Sequence, residues 1–151
     1  MTGNPDVISG ILASLAGFNV AFEKLHNQEH LWESEGFGKL ETWWDEANRD
    51  LWKLHHKLLV RLYKLGGKPE GVTTDPVAAF TTALTLFQGL HEQCQTIYAA
   101  AEADNDYVTT LKLSKIQAEL EAWIVSTEKK LKQLKMLDPV AKPTPFMTEQ
   151  L

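Results

Sequence analysis

Glu23, His26 and His30 follow one another at spacings of three and four residues, so a helix would stack one carboxylate and two imidazoles on a single face. His56 lies four residues beyond Trp52 and can join them across a helix pair. Imidazole suits iron, zinc and copper, and a carboxylate beside it balances charge, so a transition-metal site is one reading of Glu23, His26, His30 and His56. The simpler reading makes them half-exposed polar residues rimming an interface. His55 should point elsewhere, into solvent. His91 and Cys94 are three apart and could pair as base and nucleophile. No elbow or oxyanion-hole motif accompanies them, so a hydrogen-bonded core histidine and a small buried cysteine are expected instead.

Helices must position these groups. Asn4-Pro5-Asp6 supplies a cap, a first-turn proline and an acid for a helix over about 5–33. Its apolar seam is Ile8, Ile11, Leu15, Phe18, Phe22 and Leu25, spaced alternately by three and four. A turn at Gly36 and Gly38 leads to a second helix over about 39–65. Its expected inward residues are Leu40, Trp44, Ala47, Leu51, Leu54, Leu58, Leu62 and Leu65, and Gly66-Gly67 stops it. Asp75-Pro76 opens a third helix, with seam residues Phe80, Leu84, Phe87, His91, Cys94 and Tyr98. A fourth follows Asp104-Asn105-Asp106, with Leu113, Ile116, Leu120, Trp123, Leu131 and Leu134 inward. Strand-like alternation is missing, so the fold class is all-α and bundle-like, with one domain over 1–137. Pro139, Pro143 and Pro145 make 138–151 an extended proline-rich tail, which an adaptor could present to a partner.

Composition narrows the function. The 151 residues are 44% hydrophobic and 23% charged, an ordinary globular mixture. With 15 basic and 20 acidic residues the net charge is −5, which does not attract nucleic acid. Lys129, Lys130, Lys132 and Lys135 cluster near one helix end, as the helix dipole favours. No apolar run approaches the ~20 residues of a membrane span, and the N-terminus lacks the pattern of a secretory signal. A single cysteine excludes an internal disulfide framework. The cytoplasm is the expected compartment, with no membrane partner. Trp32, Trp43, Trp44 and Trp52 crowd the first two helices, and the consecutive pair cannot share one core face. Self-association through such a surface follows, since tryptophan is favoured at interfaces.

Over residues 1–69 the sequence resembles the bacterioferritins and, more distantly, the Dps mini-ferritins. The resemblance is carried by Gly3, Val7-Ile8, Leu15, Val20-Ala21, Gly36 and Leu40, then by Asp50, Lys53, Arg61 and Leu65-Gly66-Gly67-Lys68-Pro69. Asp106-Tyr107-Val108 and the helix after it continue the match, to about 135 residues in all. The resemblance implies a ferritin-like antiparallel four-helix bundle. It also implies where di-iron ligands would stand: Phe18, Leu51, Leu54, Phe87, Leu120 and Trp123. None of these side chains donates to iron, so the bundle centre is expected to be a dry core without ferroxidase activity. The position of the family's haem-ligating methionine is Trp52, and His26 falls where the family lines its haem pocket.

The expected function is therefore a non-catalytic, self-associating subunit tied to iron homeostasis. It would form a homodimer or larger homo-oligomer, or co-assemble with a related ferritin-like subunit. The alternative is a haem- or transition-metal-binding protein whose cofactor sits between subunits rather than in the bundle core. The crossover that the resemblance implies between the second and third helices is taut. Ten residues from Gly66 to Asp75 reach at most ~33–36 Å, against ~40 Å for the second helix. The tail also stands where the family has a short fifth helix, which favours a dimer over a shell.

Overall fold

The structure, a computed structural model, describes residues 3–137 and 144–149. Four long helices dominate it: α1 (Pro5–Ser34), α2 (Gly38–Lys64), α3 (Pro76–Ala103) and α4 (Tyr107–Leu137). No strand occurs among the described residues. The fold class is all-α, as the sequence patterning requires.

Local chemistry sets the boundaries. The Asn4 Oδ1 accepts from the Asp6 N–H at 2.8 Å, with Pro5 in the first turn. The Asp75 Oδ1 accepts from the Val77 N–H in the same way before Pro76. Three helices end alike. Gly36 and Phe37 donate to the Glu33 and Trp32 carbonyls, Gly66 and Gly67 to Tyr63 and Leu62, and Asn105 and Asp106 to Glu102 and Ala101. Each pair is a Schellman closure, which needs a left-handed residue at its first position. Gly36 and Gly66 supply it at φ 83° and 84°, and Asn105 does so at 57°.

The chain divides into two compact units, Met1–Gly71 and Val72–Leu151. The first is the α1–α2 hairpin. Phe22 meets Trp52, Phe18 meets His55 and Trp32 meets Trp44, so rising numbers on one helix match falling numbers on the other. At its base the Gly3 N–H donates to the Leu65 carbonyl at 2.8 Å. Gly67 packs so closely on the fully buried Leu62 that an added Cβ would lie 2.6 Å from its Cδ1. The second unit holds the α3–α4 hairpin, whose antiparallel register pairs Phe87 with Trp123 and His91 with Glu121.

The seams differ from expectation in a regular way. On α2 the less exposed stripe is Trp44, Asn48, Leu51, His55, Leu58 and Leu62, while Leu40 and Leu54 are exposed. On α4 it is Leu113, Gln117, Leu120, Ile124, Thr127, Leu131 and Leu134, while Ile116 and Trp123 are exposed. A two-helix unit buries one narrow stripe of each helix, and residues 100° round from it stay open. Thr127 tolerates burial because its hydroxyl donates to the Trp123 carbonyl at 2.6 Å.

Two further expectations are corrected. Within α1, an 18-residue window has a mean hydropathy of 1.4, long and apolar enough by length and composition to cross a membrane. A count of unbroken apolar runs misses it because neutral Gly, Ser and Asn interrupt the run without lowering the mean much. Of that window 17% is buried, and Leu15 and Phe22 are the buried apolar residues of α1. The tail is not wholly extended: Pro145–Thr148 forms one helical turn, α5, where the Met147 N–H donates to the Thr144 hydroxyl. The rest of the tail, and with it the adaptor reading, lies outside the described residues.

A candidate site on the first helical hairpin

Helix α1 presents Phe18, Phe22, Glu23, His26 and Glu29 at helical spacing, and α2 brings Asn48, Trp52 and His55 against them. Phe22 and Trp52 stack with ring centroids 3.9 Å apart and planes 9° from parallel. His55 stands edge-on to both, at 5.4 Å from Phe22 and 5.6 Å from Trp52, and at 6.0 Å from Phe18. The expectation of a solvated His55 is therefore corrected. It occupies the seam position that Leu54, one residue earlier, was expected to fill.

Beside this stack lies an open groove of about 260 Å³ lined by Phe22, Glu23, His26, Asn48 and Trp52. The buried Oδ1 of Asn48 has no hydrogen-bond partner among the described residues. His26 and Trp52, the residues singled out for haem lining, thus share one groove. The metal set is only partly gathered. Glu23 and His26 line the groove, and the His26 and His30 rings are 4.5 Å apart, but His30 Nδ1 pairs with Glu33 Oε2 at 3.0 Å. His56 is exposed and makes no hydrogen bond, ion pair or ring contact among the described residues. No three of His, Cys, Asp or Glu come together there in a way that could hold a metal ion. Sequence reasoning passed over Glu29, which is only 7% exposed and makes no hydrogen bond or ion pair among the described residues. The signal was present, since the α1 spacing continues from Phe22 through Leu25 to Glu29 and Trp32.

Of the six positions at which the resemblance implies iron ligands, Phe18, Leu51 and Leu54 lie in the first hairpin and Phe87, Leu120 and Trp123 in the second. Phe18, Leu51, Phe87 and Leu120 are half-buried, while Leu54 is 47% and Trp123 60% exposed. In the first hairpin, Phe18 and Leu51 border a second groove of about 350 Å³ with Ser14, Gly17 and Ala21. A hydroxyl is the only side-chain donor atom among those five, so a di-iron pair does not fit that lining.

On the second hairpin, the His91 imidazole shares a hydrogen bond of 3.0 Å with the Glu121 carboxylate, which is itself 63% exposed. Cys94 is half-buried one turn away. At the start of α4 the Asp106 carboxylate accepts from the Thr109 hydroxyl at 2.6 Å and from its N–H at 3.0 Å. These bonds, the hydroxyl first, hold its pKa below the ordinary 3.8.

Residues 10–137 match the ferritin-like domain. The chain belongs to the ferritin-like family. Solved structures of similar fold include the Rhodobacter capsulatus bacterioferritin, described with a metal-free dinuclear site and haem iron. It is 17% identical with a TM-score of 0.45, over 92% of this chain and 91% of that one. Mycobacterium tuberculosis bacterioferritin BfrA is 19% identical at the same TM-score, over 91% of each chain. Two curated relatives match a shorter stretch: the flap endonucleases Xni of Shewanella oneidensis and Shewanella sp. strain ANA-3, 48% and 47% identical over 73 residues. That stretch is 48% of this ferritin-like chain and 26% of each relative, so the chain spans about a quarter of their length.

Proposed function

We propose that this ferritin-like chain is a self-associating cytoplasmic subunit tied to iron handling, without a ferroxidase centre inside the bundle. The carrying observation is the donor chemistry at Phe18, Leu51, Leu54, Phe87, Leu120 and Trp123, where hydrocarbon and indole replace the oxygen and nitrogen that two iron ions need. The cluster of Trp32, Trp43, Trp44 and Trp52 on the first hairpin, with Trp43 62% exposed, favours assembly as a homodimer, a larger homo-oligomer or a mixed oligomer with a ferritin-like relative, because tryptophan is favoured at interfaces. The test is aerobic Fe(II) oxidation followed by absorbance, with molecular mass from light scattering on the same sample. Oxidation at the protein-free rate by an oligomer is expected; saturable oxidation at a fixed iron-to-chain ratio would overturn the non-catalytic reading.

A second reading is favoured by the groove holding His26, Glu23 and Trp52 beside the unpartnered Asn48 Oδ1. There a haem or transition metal would sit between two copies, held through His26 and His30, with Glu23 and His56 contributed across the interface. The flat Phe22–Trp52 stack suits a planar aromatic group, although the indole of Trp52 cannot ligate iron. A haem absorption band or stoichiometric metal, lost in His26→Ala/His30→Ala, would establish this reading in place of the first. The flap-endonuclease likeness does not extend to a nuclease proposal, because it covers only a quarter of those proteins.

A further inference from the structure

His26 and His30 stand one turn apart on α1, with ring centroids 4.5 Å apart and planes 76° from parallel. Side chains four residues apart on a helix are neighbours on one face. Two imidazoles on one zinc-sized ion hold their ligating nitrogens about 3 Å apart, since each metal–nitrogen bond is ~2.0–2.1 Å. The two rings are close enough to reach that arrangement by side-chain rotation.

Glu33 decides which nitrogen of His30 is available. His30 Nδ1 and Glu33 Oε2 are 3.0 Å apart. An ionised carboxylate only accepts, so Nδ1 carries the donated proton, and Nε2 of the neutral ring keeps a free lone pair. A carboxylate on the far ring nitrogen is the partner that metal-ligating histidines ordinarily have. His26 makes no hydrogen bond among the described residues, so either of its nitrogens can serve. The neighbourhood favours a cation, because residues 23–35 hold Glu23, Glu29, Glu33 and Glu35 against Lys24 alone.

We infer that His26 and His30 of a single chain chelate one exchangeable divalent cation of the Cu(II), Ni(II) and Zn(II) class, with Glu33 as the positioning carboxylate. Imidazole selects these ions over Mg(II) and Ca(II), and Cu(II) should bind most tightly of the series. No third His, Cys, Asp or Glu joins the pair among the described residues, so the remaining positions go to water. Structural ions are closed in by four protein ligands, which is why this one exchanges. The inference rests on the reading that this pair ligates metal, and differs from it in needing neither His56 nor a second copy.

The experiment titrates the full, untagged chain with Cu(II) and separately with Zn(II) by calorimetry. Electron paramagnetic resonance of the copper form counts the nitrogens, and circular dichroism checks helicity. One ion per chain is expected, with splitting from two imidazole nitrogens. His26→Ala and His30→Ala should each bind at least about tenfold more weakly; where alanine lowers helicity, His26→Gln and His30→Gln should show the same loss. Glu33→Gln should weaken binding about tenfold and shift the copper spectrum while both nitrogens remain. His56→Ala should bind as the native chain does. One ion per two chains, or loss of binding in His56→Ala, would overturn the single-chain chelate and leave the interfacial reading standing. Binding that survives both histidine substitutions, or no ion bound by the native chain, would overturn the chelate as well, and haem absorption then tests the interfacial reading by itself.

Discussion

Replacing Gly67 with alanine tests whether the base of the first hairpin is as tightly packed as its geometry requires. An added Cβ would lie 2.6 Å from Leu62 Cδ1 and 3.0 Å from Ile8 Cγ2, against the ~3.5–4.0 Å of an ordinary carbon contact. Leu62 is fully buried, so its Cδ1 can move only against its own neighbours, and the overlap strains that packing or shifts the helix carrying it. Overpacking of this size costs about 1–3 kcal/mol. Gly67 is not in the left-handed region, so alanine regains ~0.4–1 kcal/mol by restricting the unfolded chain. The expected net destabilisation is about 1–2 kcal/mol. Leu62→Ala alone should cost about 2–5 kcal/mol through the cavity it leaves. It also removes the atom that clashes, so the double variant should be more stable than the two losses predict, by ~1 kcal/mol or more. Urea denaturation followed by circular dichroism measures all four corners of this cycle. Additivity within ~0.3–0.5 kcal/mol, or stabilisation by Gly67→Ala alone, would refute the packing argument.

Two further outcomes follow from polar groups. Glu29→Leu should raise the melting temperature, because a residue only 7% exposed is exchanged for a hydrocarbon that extends the seam; a lower melting temperature would mean that Glu29 has a partner in the assembled protein. Asp106→Ala should fray the start of α4 and lower the melting temperature. The depressed pKa of Asp106 means that its contribution is present above the ordinary 3.8 and is lost as pH falls through the lower folded value, so the native and variant melting curves should converge in acid. A constant difference down to pH 2 would refute that assignment.

Helix number, caps and stops were legible because Asn4-Pro5, Asp75-Pro76, Gly36, Gly66 and Asn105 each act over a few residues. The faces were less so. Hydrophobicity alone prefers Leu54 to His55 and Ile116 or Trp123 to Gln117 or Thr127. Spacing by alternating threes and fours selects the polar residues instead: Trp44, Asn48, Leu51, His55, Leu58 and Leu62 on α2, and Leu113, Gln117, Leu120, Ile124 and Thr127 on α4. A polar side chain can hold a seam position when its own group is satisfied locally, as Thr127 shows, or when its ring packs on aromatic faces, as His55 shows. The His26–Trp52 groove was partly readable, since helical spacing places Glu23 near His26. The orphaned Asn48 Oδ1 was not, because it depends on the register between α1 and α2.

In the first hairpin the polar and apolar residues have exchanged the places that a buried metal bundle would give them. Glu29, Asn48 and His55 sit on the seam between α1 and α2, while Leu54, at a family ligand position, is open to solvent. A buried amide oxygen on Asn48 without a partner among the described residues lowers the hairpin's stability, and an exposed leucine does not restore it. Hydrogen-bond donors brought by another copy, or apolar surface laid over Leu54, would relieve both at once. Stability of the α1–α2 hairpin should then rise with protein concentration, as assembly linked to folding requires. Melting temperatures measured over a hundredfold range of concentration decide the point. A flat response would mean that the hairpin tolerates its orphaned amide oxygen and open leucine unaided, and that its surface chemistry serves something other than self-association.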